Sequence, residues 1–301
     1  MSGKLEVVRA GALTTIQDLG RFGHAGLGVP RSGALDQPAH RLANRLVGNS
    51  ADAATLETTL TGVAVRTTQA VTVAVTGAPA PVRIDDRPAA WASAVHVPAG
   101  AVLDVGAATS GLRSYVAFSG GIAVAPVLGS RSTDLLSCLG PAPLRDGDNL
   151  PLGEPLGHPI HTDMALWEAP PQELVLPVLL GPRDDWFTAA ALRTLGAARF
   201  AVSSHSNRIA LRMNGPVLER AVHGELASEG MVLGGIQVPP DGKPVVFLAD
   251  CPTTGGYPVI GVVPESRLAA AAQATPGLPV RFVPMRRPRL SLSGRSGRSG
   301  W

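Results

Sequence analysis

The 35 glycines and 27 prolines spread through the 301 residues limit this chain more than any other feature. Helix interiors tolerate neither residue well, whereas tight turns favour both. The sequence therefore predicts a turn-rich, mainly β architecture with only a few short helices. The segments between turns agree. VAVRTT, AVTVAVTG, PVRID, SAVHVPAG, AVLDVGA and SYVAF alternate or cluster β-branched residues and end on Gly, Pro or Asp. Three segments read instead as helices. DQPAHRLANRLVGN has Asp36 placed to cap, Pro38 in the first turn and Gly48 after the last apolar residue. DDWFTAAALRTLG is bounded by Asp184 or Asp185 and Gly196, and PESRLAAAAQATP by Pro264 and Pro276.

The length allows one large domain or two of about 150 residues, and 45% apolar residues can fill cores of that size. Residues 150–171, LPLGEPLGHPIHTDMALWEAPP, hold five prolines and few strand signals, which suggests a connector. The expected units are residues 1–155, 156–285 and a tail of 286–301. The two larger units rhyme. HVPAGAVLDV followed by SYVAFSGGIAVAPVLGSRS resembles QVPPDGKPVVFLAD followed by TTGGYPVIGVVPESR, turn for turn.

Net charge is +3, but five arginines fall in the last sixteen residues, so the remainder carries 3 − 5 = −2. No broad basic face is implied, and nucleic acid is not an expected partner. The Arg/Gly/Ser tail is too poor in apolar residues to fold and is expected to be flexible. The N-terminus lacks the apolar stretch of a signal peptide. Apolar runs such as LVLPVLL are far shorter than the roughly 18 residues that span a bilayer. Cys138 and Cys251 make no disulfide framework. A cytoplasmic protein with reduced thiols and no membrane partner is expected.

Several catalytic devices are missing from the sequence. There is no G-x-x-x-x-G-K-S/T, no G-x-G-x-x-G opening a helix, no G-x-S-x-G and no Met-Lys-Met for biotin attachment. His158 and His161 form an H-x-x-H pair beside proline, which reads as surface histidines; no metal site is expected. Cys251 follows an apolar strand with nothing nearby to lower its pKa, and reads as an inert thiol.

Four polar, glycine-flanked clusters remain. TTIQDLGRFGHAGLGVPRSGALD supplies Gln17, Asp18, Arg21, Ser32 and Asp36. LGSRST supplies Ser130, Arg131 and Ser132. SSHSNRIALRMNG supplies Ser206, Asn207 and Arg208. LASEGMVLGGIQVP and LADCPTTGGYP supply Ser228, Glu229, Gln237, Asp250, Thr253, Thr254 and Tyr257. Each has a plain structural reading: Asx-turns, helix caps and hairpins use these residues. Together they suit a small polar, anionic ligand, because guanidinium groups grip carboxylate or phosphate in pairs and Gly-Gly turns expose backbone N–H groups. They are expected to converge on one shallow cleft.

The opening stretch, followed by LANRLVGN and LETTLTG, resembles the signature of the allophanate hydrolase subunit 2 family. That family includes KipA and the C subunit of ATP-dependent 5-oxoprolinase. YVAFSGGIAV with LGSRSTDLL, GPRDDWF, SSHSNRIALRMNG, SEGMVLGGIQVPPDGKPVVFLAD, TTGGYPVIGVV and AQATPGLPVRF follow in order, so the resemblance covers about residues 5–284. The Arg-rich tail is outside it. The resemblance implies two cyclophilin-like β-barrel units. It also implies a hydrolase subunit that is inactive alone and works with two other proteins, one KipI-like (allophanate hydrolase subunit 1-type) and one of the LamB/YcsF type. Their complex would use ATP to open 5-oxo-L-proline to L-glutamate. Two alternatives come with the family: half of a biotin-dependent urea or amide carboxyltransferase site, and a KipA-type regulator of a KipI-like kinase inhibitor.

In that setting Asp18, Asp36 and Glu229 are candidates for orientation or proton transfer. Arg21, Arg131 and Arg208 are anion-binding candidates, supported by Gln17, Ser32, Ser130, Asn207, Gln237, Thr253, Thr254 and Tyr257.

Overall fold

The computed structural model describes residues 3–160, 165 and 169–285. His161 of the H-x-x-H pair, most of residues 161–168 and the basic segment 286–301 lie outside the described residues. The architecture is mainly β, as the punctuation implies. Two sheets build the first half. One runs 149–151, 4–9, 63–67, 102–105, 82–84, 87–89, and the other 13–17, 55–59, 113–118, 71–77, 94–97. Their facing sides share one core that includes Leu5, Val7, Ile16, Val65, Val73, Val75, Val116 and Phe118.

Alternation places the neighbours of those residues on the opposite face of the second sheet. Ala74, Tyr115 and Ala117 point there and are covered by helix α1 (Gln37–Leu46) through Ala39, Ala43 and Leu46. Strand 113–118 is therefore buried on both faces along its whole length. Helix α1 starts as the sequence suggests: Asp36 accepts a hydrogen bond from the Ala39 N–H at 3.1 Å, and Pro38 lies in the first turn.

The second half is a closed seven-stranded barrel, in the order 174–180, 259–262, 235–237, 245–247, 210–214, 200–202, 279–285. A parallel pairing of Leu174–Leu179 with Val280–Met285 closes the circle. Helix α2 (Ala189–Ala197) and helix α3 (Leu268–Ala272) add Ala191, Leu195, Leu268 and Ala271 to its core. Leu35 of the first half packs into the same core.

Two local expectations change. Asp184 and Asp185 begin a separate 3-10 turn, and α2 starts later, capped by Thr188, whose hydroxyl accepts from the Ala191 N–H. The rhyme between the halves is one of turn order, not of pairing. Strands 235–237 and 245–247 pair with each other in the barrel. Strands 94–97 and 102–105, around the matching V-P turn, belong to different sheets.

Candidate functional site

The glycine-rich opening stretch is a strand followed by a necked loop. Strand 13–17 ends the sheet, and residues 20–33 then leave and return. Arg21 N–H donates to the Arg31 carbonyl at 2.7 Å, and Ala34 N–H to the Asp18 carbonyl at 2.9 Å, closing the neck. Gly20 and Gly33 meet there back to back, both with φ near +92°. A Cβ on Gly33 would lie 2.8 Å from the Gly20 nitrogen. Only glycine fits both the left-handed backbone and the approach.

Asp18 stands at the base of this loop. Its carboxylate accepts from Gly20 N–H, Ser130 Oγ, Ser132 Oγ and Arg131 N–H, at 2.6–2.8 Å. The LGSRST turn is thereby locked to the opening loop. Arg131 takes part through its backbone, while its Nε donates to the Val124 carbonyl at 2.9 Å. Arg21 is 2% exposed. Its Nη2 donates to the Ser132 carbonyl at 2.5 Å, its Nε reaches the Val127 carbonyl at 3.4 Å, and its Nη1 has no partner.

A second buried network joins the two halves. Arg208, 1% exposed, donates through Nε and Nη2 to both oxygens of Asp250 at 3.0 Å. Its Nη1 donates to Glu57 and its Nη2 also to the Gly33 carbonyl at 2.7 Å. Glu57 further accepts from the Leu35 N–H at 3.0 Å and the Tyr115 hydroxyl at 2.8 Å, with Arg113 Nε 3.6 Å away. Burial alone would raise the Glu57 carboxyl; Arg208 and Arg113 outweigh it and hold it below the usual range. At Asp250 burial prevails over Arg208, and its pKa is raised.

Gln273 completes this seam. Its amide oxygen accepts from the N–H groups of Leu112 and Arg113, each at 2.9 Å. Its amide nitrogen donates to Asp36 at 2.8 Å and to the Arg113 carbonyl at 2.9 Å.

These contacts correct several site expectations. Arg208 cannot grip a ligand, because every guanidinium nitrogen is engaged inside the protein. Asp18 is saturated with donors. Asp36 caps α1 and is held by Gln273, and burial raises its pKa. Glu229 is clamped by Arg183 at the surface, with Nε at 2.9 and 3.1 Å from its two oxygens, and that pairing lowers its pKa. None of the three carboxylates lines the cavities described below. Ser130 is buried in the Asp18 network, and Asn207 caps its own turn, accepting from Ile209 and Ala210. Gln17 is fully buried, donating to Thr15 and the Thr133 carbonyl. Gln237 donates to the Tyr257 carbonyl at 3.0 Å, beside the two-stranded ladder of Glu229–Gly230 with Thr254–Gly255. The polar corners thus form three groups rather than one.

A cleft does exist where the halves meet. Its first cavity, of about 220 Å³, lies among Arg21, Phe22, His24, Met231, Cys251 and Thr253. A second, of about 230 Å³, lies among Ser32, Leu35, Arg41, Leu248, Glu265 and Leu268. The two share Arg31, Leu233 and Ala249. Of the expected residues, Arg21, Ser32 and Thr253 reach this cleft. The sequence reading missed His24, Arg31, Arg41 and Glu265, and for the seam Glu57, Arg113, Tyr115 and Gln273. A glutamate inside the strand LETTL was the visible signal, since an acid there needs a buried cation. Cys251 beside the first cavity has its thiol pushed up to about 11, by burial first and Asp250 second. Among the described residues no group of three or more His, Cys, Asp or Glu could hold a metal ion, and no helix is long and apolar enough to cross a membrane.

The family model for the carboxyltransferase domain, subdomains A and B, matches residues 27–284. The chain belongs to this carboxyltransferase-domain family. Among its relatives, the C subunit of 5-oxoprolinase from Escherichia coli K12 is 39% identical over 286 residues, covering 93% of this chain and 90% of that protein. The urea amidolyase of Lachancea kluyveri is 33% identical over 93% of this chain but only 17% of its own length. Among solved structures of the family, TTHA0988 superposes with a TM-score of 0.85 at 35% identity, over 94% of this chain and 56% of its own. The K. lactis urea amidolyase gives 0.87 at 31% identity, over 94% of this chain and 19% of its own. The family assignment agrees with the one drawn from the ordered motifs.

Proposed function

We propose that this chain is the C-type component of an ATP-dependent 5-oxoprolinase, a cytoplasmic complex that opens 5-oxo-L-proline to L-glutamate. One observation carries the reading: the match to the C subunit of a 5-oxoprolinase runs through nine-tenths of both chains. The match to a urea amidolyase occupies a small fraction of a much longer polypeptide. A KipI-like protein and a LamB/YcsF-type protein are the proposed partners, and ATP is used at the level of the complex.

The substrate suits the first cavity. 5-Oxoproline is a small ring bearing a carboxylate and a lactam. Arg21 and Arg31 supply positive charge, and His24 and Thr253 supply polar groups, within about 220 Å³. Hydrolysis adds water across the lactam C–N bond, leaving a second carboxylate and an ammonium group. Activation of the carbonyl by ATP places growing negative charge where buried cations are most effective. The three carboxylates engaged elsewhere leave proton transfer to His24 or to a partner protein.

A second reading has its own support. The superposition on urea amidolyase favours half of a biotin-dependent urea carboxyltransferase site. Co-expression with the KipI-like and LamB/YcsF-type proteins decides between them. Glutamate formed from 5-oxoproline only when ATP and all three chains are present supports the first. Bicarbonate- and biotin-dependent consumption of urea, without lactam opening, supports the second. Tight association with the KipI-like protein and no turnover would replace both with a regulatory role.

A further inference from the structure

The proposed lactam chemistry makes no use of the second cavity. Arg31 lines it, with a mostly apolar wall of Leu35, Leu233, Leu248 and Leu268. Two polar atoms of adjacent residues behind that wall, Arg31 Nε and Ser32 Oγ, are buried and make no hydrogen bond. Ser32 is 1% exposed and is held at φ 54°, a left-handed conformation that a serine adopts only under constraint. Its N–H is fixed across the seam to the Ala249 carbonyl at 3.0 Å. A buried donor without an acceptor costs about 1–3 kcal/mol in general, and the cavity wall backs onto two of them.

The charges at the mouth point the same way. Arg31 and Arg41 face one acid, Glu265, which lies 2.7 Å from Arg31 Nη1 with its side chain 58% exposed. Arg41 has no ion pair among the described residues; its contact is Gln37 at 3.4 Å. A protein carboxylate at the surface is a weakly held partner for Arg31, and a ligand carboxylate can take its place.

We propose that this cavity binds a small amphipathic monocarboxylate. The acid group accepts from the Arg31 guanidinium in place of Glu265, and a branched or cyclic hydrocarbon body lies against the leucines. The cavity is walled by residues 31–41 of the first half and 233–269 of the second. Occupancy therefore braces the two halves and places a ligand against Arg31, which also lines the first cavity. The proposal does not rest on the 5-oxoprolinase reading.

Calorimetric titration of the purified chain with 4-methylpentanoate, and with the corresponding amide, tests it. The acid is expected to bind saturably at millimolar concentration or below, and the amide at least about tenfold more weakly, since it lacks the charge that Arg31 pairs with. Glu265→Gln removes the competing carboxylate and is expected to tighten the acid about threefold or more. Ala269→Trp, which fills the cavity from its rim, is expected to abolish binding. No saturable binding, equal affinity for acid and amide, or no effect of Glu265→Gln would each overturn the proposal. The comparison of acid with amide and the Glu265→Gln titration decide the matter even if the tryptophan variant fails to fold. Because the chain is titrated alone, a complex that does not open 5-oxoproline leaves this result standing.

Discussion

Arg208 holds two acids and a backbone carbonyl at once, and it does so across the seam between the halves. Removing the cation leaves Glu57 and Asp250 buried with too little positive charge. Arg208→Met is therefore expected to lower stability by about 3–5 kcal/mol, measured by urea unfolding. Arg208→Lys keeps the charge but loses the fork to Asp250 and is expected to fall between. His40 makes a different test. Burial pushes its imidazole down to about 4 from an ordinary value of 6.5, and its nitrogens lie 2.9 Å from the Thr55 hydroxyl and 3.1 Å from the Ala51 carbonyl. The unfolded chain binds the proton more readily than the native one. Stability is full above pH 6.5 and is lost as pH falls from 6.5 towards 4, by on the order of 3 kcal/mol. Unfolding curves from pH 7.5 to 4.5 should show this slope, and His40→Gln should flatten it. At this scale the sequence was only partly legible. Asp36 as a cap and Asn207 as a turn residue could be read locally. Arg208 could not, because its partners lie 42 and 151 residues away and burial is set by tertiary packing.

At the scale of elements, the loop of residues 20–33 depends on its neck. Gly33→Ala puts a methyl group against the Gly20 backbone at φ +92°. The expected cost is about 2 kcal/mol or more, with a comparable loss for Gly20→Ala, read as a drop in melting temperature. The same substitution at Gly28, also at positive φ but with open space around it, is expected to cost less. Strands with clear alternation, such as 71–77 and 102–105, were legible in the sequence, as was α1 from its cap, proline and glycine. Strand 13–17 was not: Thr14, Thr15 and Gln17 are polar yet buried, so no alternation marks it. The barrel was hidden for another reason. Several of its strands are three residues long, too short to show a period, and its closure rests on a pairing over a hundred residues apart in sequence.

At the scale of the molecule, a buried polar seam of Glu57, Arg113, Arg208, Asp250 and Gln273 joins the two halves. The ordered motifs were enough to give the family and the fold. They were not enough to give the site, because the polar corners that looked alike in sequence divide into an Asp18 cluster, an Arg208 seam and a surface ladder, with the cleft between them. The most direct test of the cleft uses Ala25, an exposed residue on the rim of the first cavity. The rate of glutamate formation from 5-oxoproline and ATP is measured in the complete complex carrying Ala25→Trp. Arg87→Ala, on a distant exposed strand, serves as the control. The account predicts at least a tenfold loss of rate for the tryptophan variant, with folding and assembly of the complex intact and the control unchanged. Undiminished turnover with the cavity filled would contradict it.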